Sequence, residues 1–207
     1  MNPRDILSAS PVIPVMAIDD VSCAVDLAHA LVEGGIHTLE ITLRTEHGIK
    51  AIERIAQEVK DAIVGAGTVI NATQLHAVAD AGAVFAISPG LNVHLVQAAE
   101  KSHIPLIPGI ATPSELMLAL EYGIDTCKLF PAEVVGGKAM LHALYGPFPD
   151  VKFCPTGGIS LNTAPDYLKL PNVLCVGGSW LTPKKVVEQR DWQTITQLAA
   201  EAAALRT

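Results

Sequence analysis

The feature that most constrains this chain is a regular alternation. Eight short runs rich in aliphatic and β-branched residues, at 12–18, 38–44, 63–68, 84–89, 105–110, 126–131, 152–157 and 173–178, are separated by stretches with helical spacing. Strands that alternate with helices build a parallel sheet through crossover connections. Helix punctuation supports the intervening segments. Thr112, Pro113 and Glu115 supply an N-cap, a first-turn proline and a capping-box partner, and Asn71 with Gln74 repeats the pattern. Gly34, Gly82 and Gly123 fall where helices must stop before the next strand. Ile195, Leu198, Ala199, Ala202 and Leu205 recur at helical spacing, so the last segment is a helix packed on the sheet. Eight such units fit a closed (β/α)8 barrel of the TIM type or an open doubly wound sheet, and periodicity does not separate the two. Polar and Gly-rich residues at the C-terminal end of almost every run favour closure, as around a barrel mouth. No linker interrupts the pattern, so residues 1–207 are expected to form one α/β domain, a (β/α)8 barrel.

Composition bears on partners. Half the residues are hydrophobic and only 17% are charged, enough apolar surface for a folded core. A formal net charge of -7 with no basic stripe argues against nucleic acid and anionic membranes as partners. No apolar run approaches the roughly 18 to 20 residues that span a bilayer, so a cytoplasmic protein is expected. Cys23, Cys127, Cys154 and Cys175 form no C-x-x-C pair and read as reduced thiols, and the histidines show no metal-binding spacing. Neither a metal nor another cofactor is implied.

Two strands carry charge where apolar residues are the rule. In the second, side-chain alternation puts Glu40, Thr42 and Arg44 on one face, expected to be the barrel interior near its mouth, with Leu39, Ile41 and Leu43 towards the helices. A charge there needs a partner, either another side chain or a ligand. In the sixth, Lys128 shares a face with Thr126 and Phe130 in the middle of an apolar run. Removal from water favours the free amine of a lysine, and a free amine attacks ketones. Lys128 is therefore a candidate nucleophile and Glu40 a candidate base. The pattern equally permits a structural pair of Lys128 or Arg44 with Glu40, an isomerase or epimerase in which Lys128 only stabilises charge, or a catalytically silent sensor. Gly157 with Gly158, and Gly177 with Gly178 and Ser179, follow the seventh and eighth strands, where barrels frequently bind phosphate, although glycines also simply make tight turns. Thr68, which ends the third strand after Gly65 and Gly67, offers a hydroxyl with small neighbours.

The stretch 35–44 with Glu40 and Arg44, and the run Lys128, Leu129, Phe130, Pro131 and Ala132, resemble the two active-site signatures of the KDPG/KHG aldolase family. Further matching stretches at 64–69, 85–90, 104–109, 153–159 and 177–180 extend the resemblance over nearly the whole chain. It departs at Leu129, where the family often has phenylalanine, on the face turned to the helices. The resemblance implies a trimeric, metal-independent barrel enzyme that cleaves a phosphorylated 2-keto-3-deoxy sugar acid to pyruvate and glyceraldehyde 3-phosphate, the last step of the Entner-Doudoroff route. Activity on 4-hydroxy-2-oxoglutarate and oxaloacetate is implied too. In that reading Lys128 forms the Schiff base and Glu40 moves protons. Arg44 takes the substrate carboxylate with Thr68 and Thr156, Pro89 and Phe130 wall the pyruvate methyl, and Gly158, Gly178 and Ser179 hold the phosphate.

Overall fold

In the computed structural model, which describes residues 1–205, the alternation is realised in full. The elements run α1 (Pro3–Ser8), β1 (Val12–Met16), α2 (Ala24–Glu33), β2 (Thr38–Thr42), α3 (Gly48–Glu58), β3 (Ile63–Gly67), α4 (Ala72–Asp80) and β4 (Ala86–Ser88). They continue through α5 (Val93–Ser102), β5 (Leu106–Ile110), α6 (Pro113–Glu121), β6 (Thr126–Leu129), α7 (Gly137–Tyr145) and β7 (Lys152–Pro155). The chain then forms α8 (Ala164–Leu168), β8 (Val176–Gly178), α9 (Lys184–Glu188) and α10 (Trp192–Ala203). The strands pair in parallel in the order β7-β6-β5-β4-β3-β2-β1-β8. Parallel bridges from Phe153 to Val173 and from Thr156 to Gly177 join the two ends. The sheet is thus a (β/α)8 barrel, and the open doubly wound alternative is excluded.

Local chemistry explains the helix boundaries. Thr112 and Glu115 complete the expected capping box on α6. The Asn71 side chain caps α4 by accepting from Gln74 N–H, whereas the Gln74 side chain reaches back to Ile70 N–H. Gly34 does end α2, but the left-handed residue is its neighbour Gly35, at φ 89°. Gly34 has a second duty: a Cβ there would lie 2.4 Å from that of Ala199, so its bareness lets α2 and α10 pack closely. Ile195, Ala199 and Ala202 are the buried positions of α10.

The apolar residues fall into two bodies. One lies between the barrel and the helices and takes in most of the core. The other fills the lower barrel interior: Ile13, Phe85, Ile87, Ile107, Cys154 and Cys175 with Ile6 and Leu7 of α1. The helix α1 was not foreseen in the sequence. Its six residues show too little periodicity to stand out, and it exists because Asn2 caps it and Ile6 and Leu7 insert completely into the barrel base. Thr38 of β2 donates to Ile6 O at 2.9 Å, and Arg4 bonds Asp125 and the Asp150 carbonyl, which ties α1 to the N-terminal ends of the strands.

Candidate active site

The geometry begins with Lys128 on β6 and Glu40 on β2. Both side chains are almost wholly buried, 5% and 2% exposed, and Lys128 Nζ donates to Glu40 Oε1 at 3.3 Å. Their strands are not neighbours, so the contact crosses the barrel interior. The Lys128 amine also stands 5.2 Å from the centroid of the Phe130 ring, a cation-π contact. Such a pair is expensive to bury, and full loss of water is offset only in part by the attraction. Burial of a polar pair at this cost is a mark of function.

Glycines make the room. A Cβ on Gly67 of β3 would fall 2.1 Å from Glu40 Oε1, and one on Gly109 of β5 would fall 2.2 Å from the Pro89 carbonyl. Gly109 is in register with Lys128, so Pro89 sits over the strand beside the lysine. Sequence reasoning noted Gly67 only as a small neighbour of Thr68 and gave Gly109 no role at the site. The available signal was glycine inside a strand, which marks a close approach of something else. Thr68 follows Gly67 with φ 60°, a region where a β-branched residue is an outlier. Holding it there costs roughly 1–3 kcal/mol, a strain that recurs at functional sites. Thr156, buried at the C-terminal end of β7, lies against Gly177, where a Cβ would be 2.2 Å from its Oγ1.

The remaining expected residues stand higher, on the rim. Gly157 and Gly158 have φ of 107° and 83° and form the turn after β7, while Gly178 is covered by the Trp180 ring. Ser179 is exposed beside it. Arg44 requires a correction. Strand β2 ends at Thr42, so alternation no longer governs position 44, and the guanidinium lies on the exposed rim rather than inside the barrel. No contact joins it to Glu40; the Glu40 partner is Lys128. Arg44 instead shares with Ser179 a cleft of about 800 Å³ between the β1–α2 loop and α9. That cleft does not include Lys128 or Glu40.

The barrel thus holds a buried lysine and carboxylate in contact, beside an aromatic ring and close to the glycine turns, and the comparisons with known proteins place it among aldolases. The sequence profile described as KDPG and KHG aldolase matches residues 4–198, and the chain belongs to that family. It is 58% identical to the 2-dehydro-3-deoxy-phosphogluconate aldolase of Dickeya dadantii (strain 3937), over 97% of this chain and 94% of the relative. Identity is 55% to the KHG/KDPG aldolase of Escherichia coli (strain K12), over 96% and 93%. Among solved structures, KDPG aldolase from Legionella pneumophila, with pyruvate captured at low pH as a covalent carbinolamine intermediate, superposes with a TM-score of 0.96 at 50% identity, covering 98% of each chain.

Proposed function

We propose that this chain is a class I aldolase that cleaves 2-keto-3-deoxy-6-phosphogluconate to pyruvate and glyceraldehyde 3-phosphate, and 4-hydroxy-2-oxoglutarate to pyruvate and glyoxylate. The observation that carries the reading is the Lys128 amine, buried at mid-barrel with Glu40 as its carboxylate partner. The amine adds to the C2 ketone, and loss of water with uptake of one proton from solvent leaves an iminium. Glu40, within hydrogen-bond reach of the amine, takes the proton of the C4 hydroxyl, directly or through one water. The C3–C4 bond then breaks, its electron pair passes into the iminium as an enamine, and the aldehyde departs. Glu40 returns its proton to C3, and water releases pyruvate, the free amine and the proton taken up at the start.

Arg44 on the rim is suited to hold the substrate carboxylate bidentately, with Thr68 and Thr156 completing that pocket. Pro89 and Phe130 face the methyl end. Gly158, Gly178 and Ser179 hold the phosphate through backbone N–H groups and a hydroxyl. The whole chain acts as one domain, as a homotrimer in the cytoplasm. Among the described residues no helix is long and apolar enough to cross a membrane.

The deciding experiment is incubation with pyruvate and borohydride, followed by intact mass and peptide mapping, with Lys128→Ala as control. A stable adduct on Lys128, absent from the control, is expected. Unmodified but active protein would discard the Schiff base.

A further inference from the structure

The loop that follows β6 carries an acid at an awkward place. Ala132 N–H donates to Thr156 O at 2.8 Å and Glu133 N–H to Gly157 O at 3.1 Å, so this loop is stitched to the glycine turn after β7. A Cβ on Gly158 would lie 2.6 Å from Glu133 Cγ and 2.8 Å from its Cβ, which places the stem of Glu133 directly against Gly158. A carboxylate on so short a stem can swing over the turn, where its charge would oppose a phosphate, or fold back from it. The Tyr167 hydroxyl settles the choice by donating to Glu133 Oε1 at 2.6 Å. Glu133 Oε2 is then 3.6 Å from where a Cβ of Gly137 would be, at the start of α7, an end of the helix that favours negative charge. Tyr167 itself is fully buried on α8. Its phenol is pushed up by burial first and by the Glu133 bond second, so it remains a donor.

We propose that the Tyr167–Glu133 hydrogen bond parks this carboxylate away from the turn of Gly157 and Gly158, and so makes the pair a determinant of affinity for the phosphate end of the substrate. The inference rests on that turn receiving the phosphate. Neither residue touches the reacting atoms; both are positioning residues.

The test compares Tyr167→Phe, which keeps the ring and loses the donor, with the same change combined with Glu133→Gln. The single variant is expected to raise KM for the phosphorylated substrate about fivefold with kcat nearly unchanged, the scale of a like charge a few ångströms away in a partly solvated site. The increase should shrink at about 0.5 M salt, where exposed charges are screened. Exchange of the pyruvate methyl protons with D2O, which needs no phosphate, should not change. Removing the charge in the double variant should restore KM. An unchanged KM, an equal loss in both reactions, or a double variant no better than the single would each overturn the proposal. Gly158→Ala, measured alongside, separates the two layers. If it raises KM while Tyr167→Phe does not, only this inference fails; if it too leaves KM unmoved, the phosphate assignment of the turn has failed and the inference with it.

Discussion

The two halves of the barrel interior are built from opposite materials. Below, Ile6, Leu7, Ile13, Phe85, Ile87 and Ile107 pack into an apolar plug with two thiols. Above, Glu40 and Lys128 occupy equally buried positions with a carboxylate and an ammonium. On β2 the change takes place within one step of the alternation: Thr38 bonds the carbonyl of Ile6, and Glu40, two residues on, bonds the lysine. The lower half stabilises the barrel, and the upper half carries a buried polar pair to which the proposed function gives the chemistry. The division teaches that burial alone does not distinguish the two halves; the nature of the buried groups does.

The largest expected effect comes from Lys128→Met, which should cut pyruvate release by at least about 10⁴-fold in a coupled assay. The thermodynamic counterpart is sharper. Leaving Glu40 buried alone should cost about 3–5 kcal/mol, whereas Lys128→Met with Glu40→Leu should match or exceed the parent by about 1–4 kcal/mol in denaturant unfolding. A less stable double variant would break the contrast between the halves. Leu7→Ala, in the plug, should cost about 2–5 kcal/mol. Its kcat per folded molecule should be unchanged, and a large fall in kcat would show that the halves are coupled. Gly67→Ala pushes on Glu40 without removing any charge. A displacement near 1 Å should lower kcat roughly 100-fold, and the overpacking should cost about 1–3 kcal/mol in denaturant unfolding. The smallest effect belongs to Arg4→Ala: its pair with Asp125 is half exposed, and the loss should stay below about 1 kcal/mol with activity intact.

Cys127 adds a pH signature outside this contrast. Burial pushes its thiol from 9.0 up to about 12. Between those values the unfolded chain releases a proton that the folded chain keeps. The stability linked to this thiol is therefore fully present below pH 9 and is lost as pH rises through the window. Alkaline unfolding monitored by circular dichroism should be milder in Cys127→Ser after correction for the packing change.

Much of this was legible in the sequence because it depends on period and on misfits to period. All eight runs became strands, and Lys128 was visible as a lysine in a strand that is otherwise apolar or small. What was not legible depends on where periodicity stops. Position 44 has the parity of Glu40, yet the strand ends at Thr42, and only the folded chain shows Arg44 on the rim. The Glu40–Lys128 contact spans 88 residues; the sequence offered it beside a Glu40–Arg44 pair, and no local pattern chose between them. The plug helix is too short to announce itself, and its insertion depends on a cavity that exists only once the strands have closed. Glu133 and Tyr167 fall in the same class: a loop acid and a short-helix tyrosine, 34 residues apart, have meaning only through the turn they flank.

The sealed base has a consequence for traffic. Ile6 and Leu7 shut one end of the tube, so in the proposed reading water and substrate share the opposite end as their approach to the Lys128 amine. A Schiff-base cycle releases one water on entry and consumes one before pyruvate can leave. With a single doorway, the aldehyde in the outer part of the channel stands between the enamine and bulk water until it departs. In the proposed cycle the order of events, aldehyde out, water in, pyruvate out, then follows from plumbing as much as from reactivity.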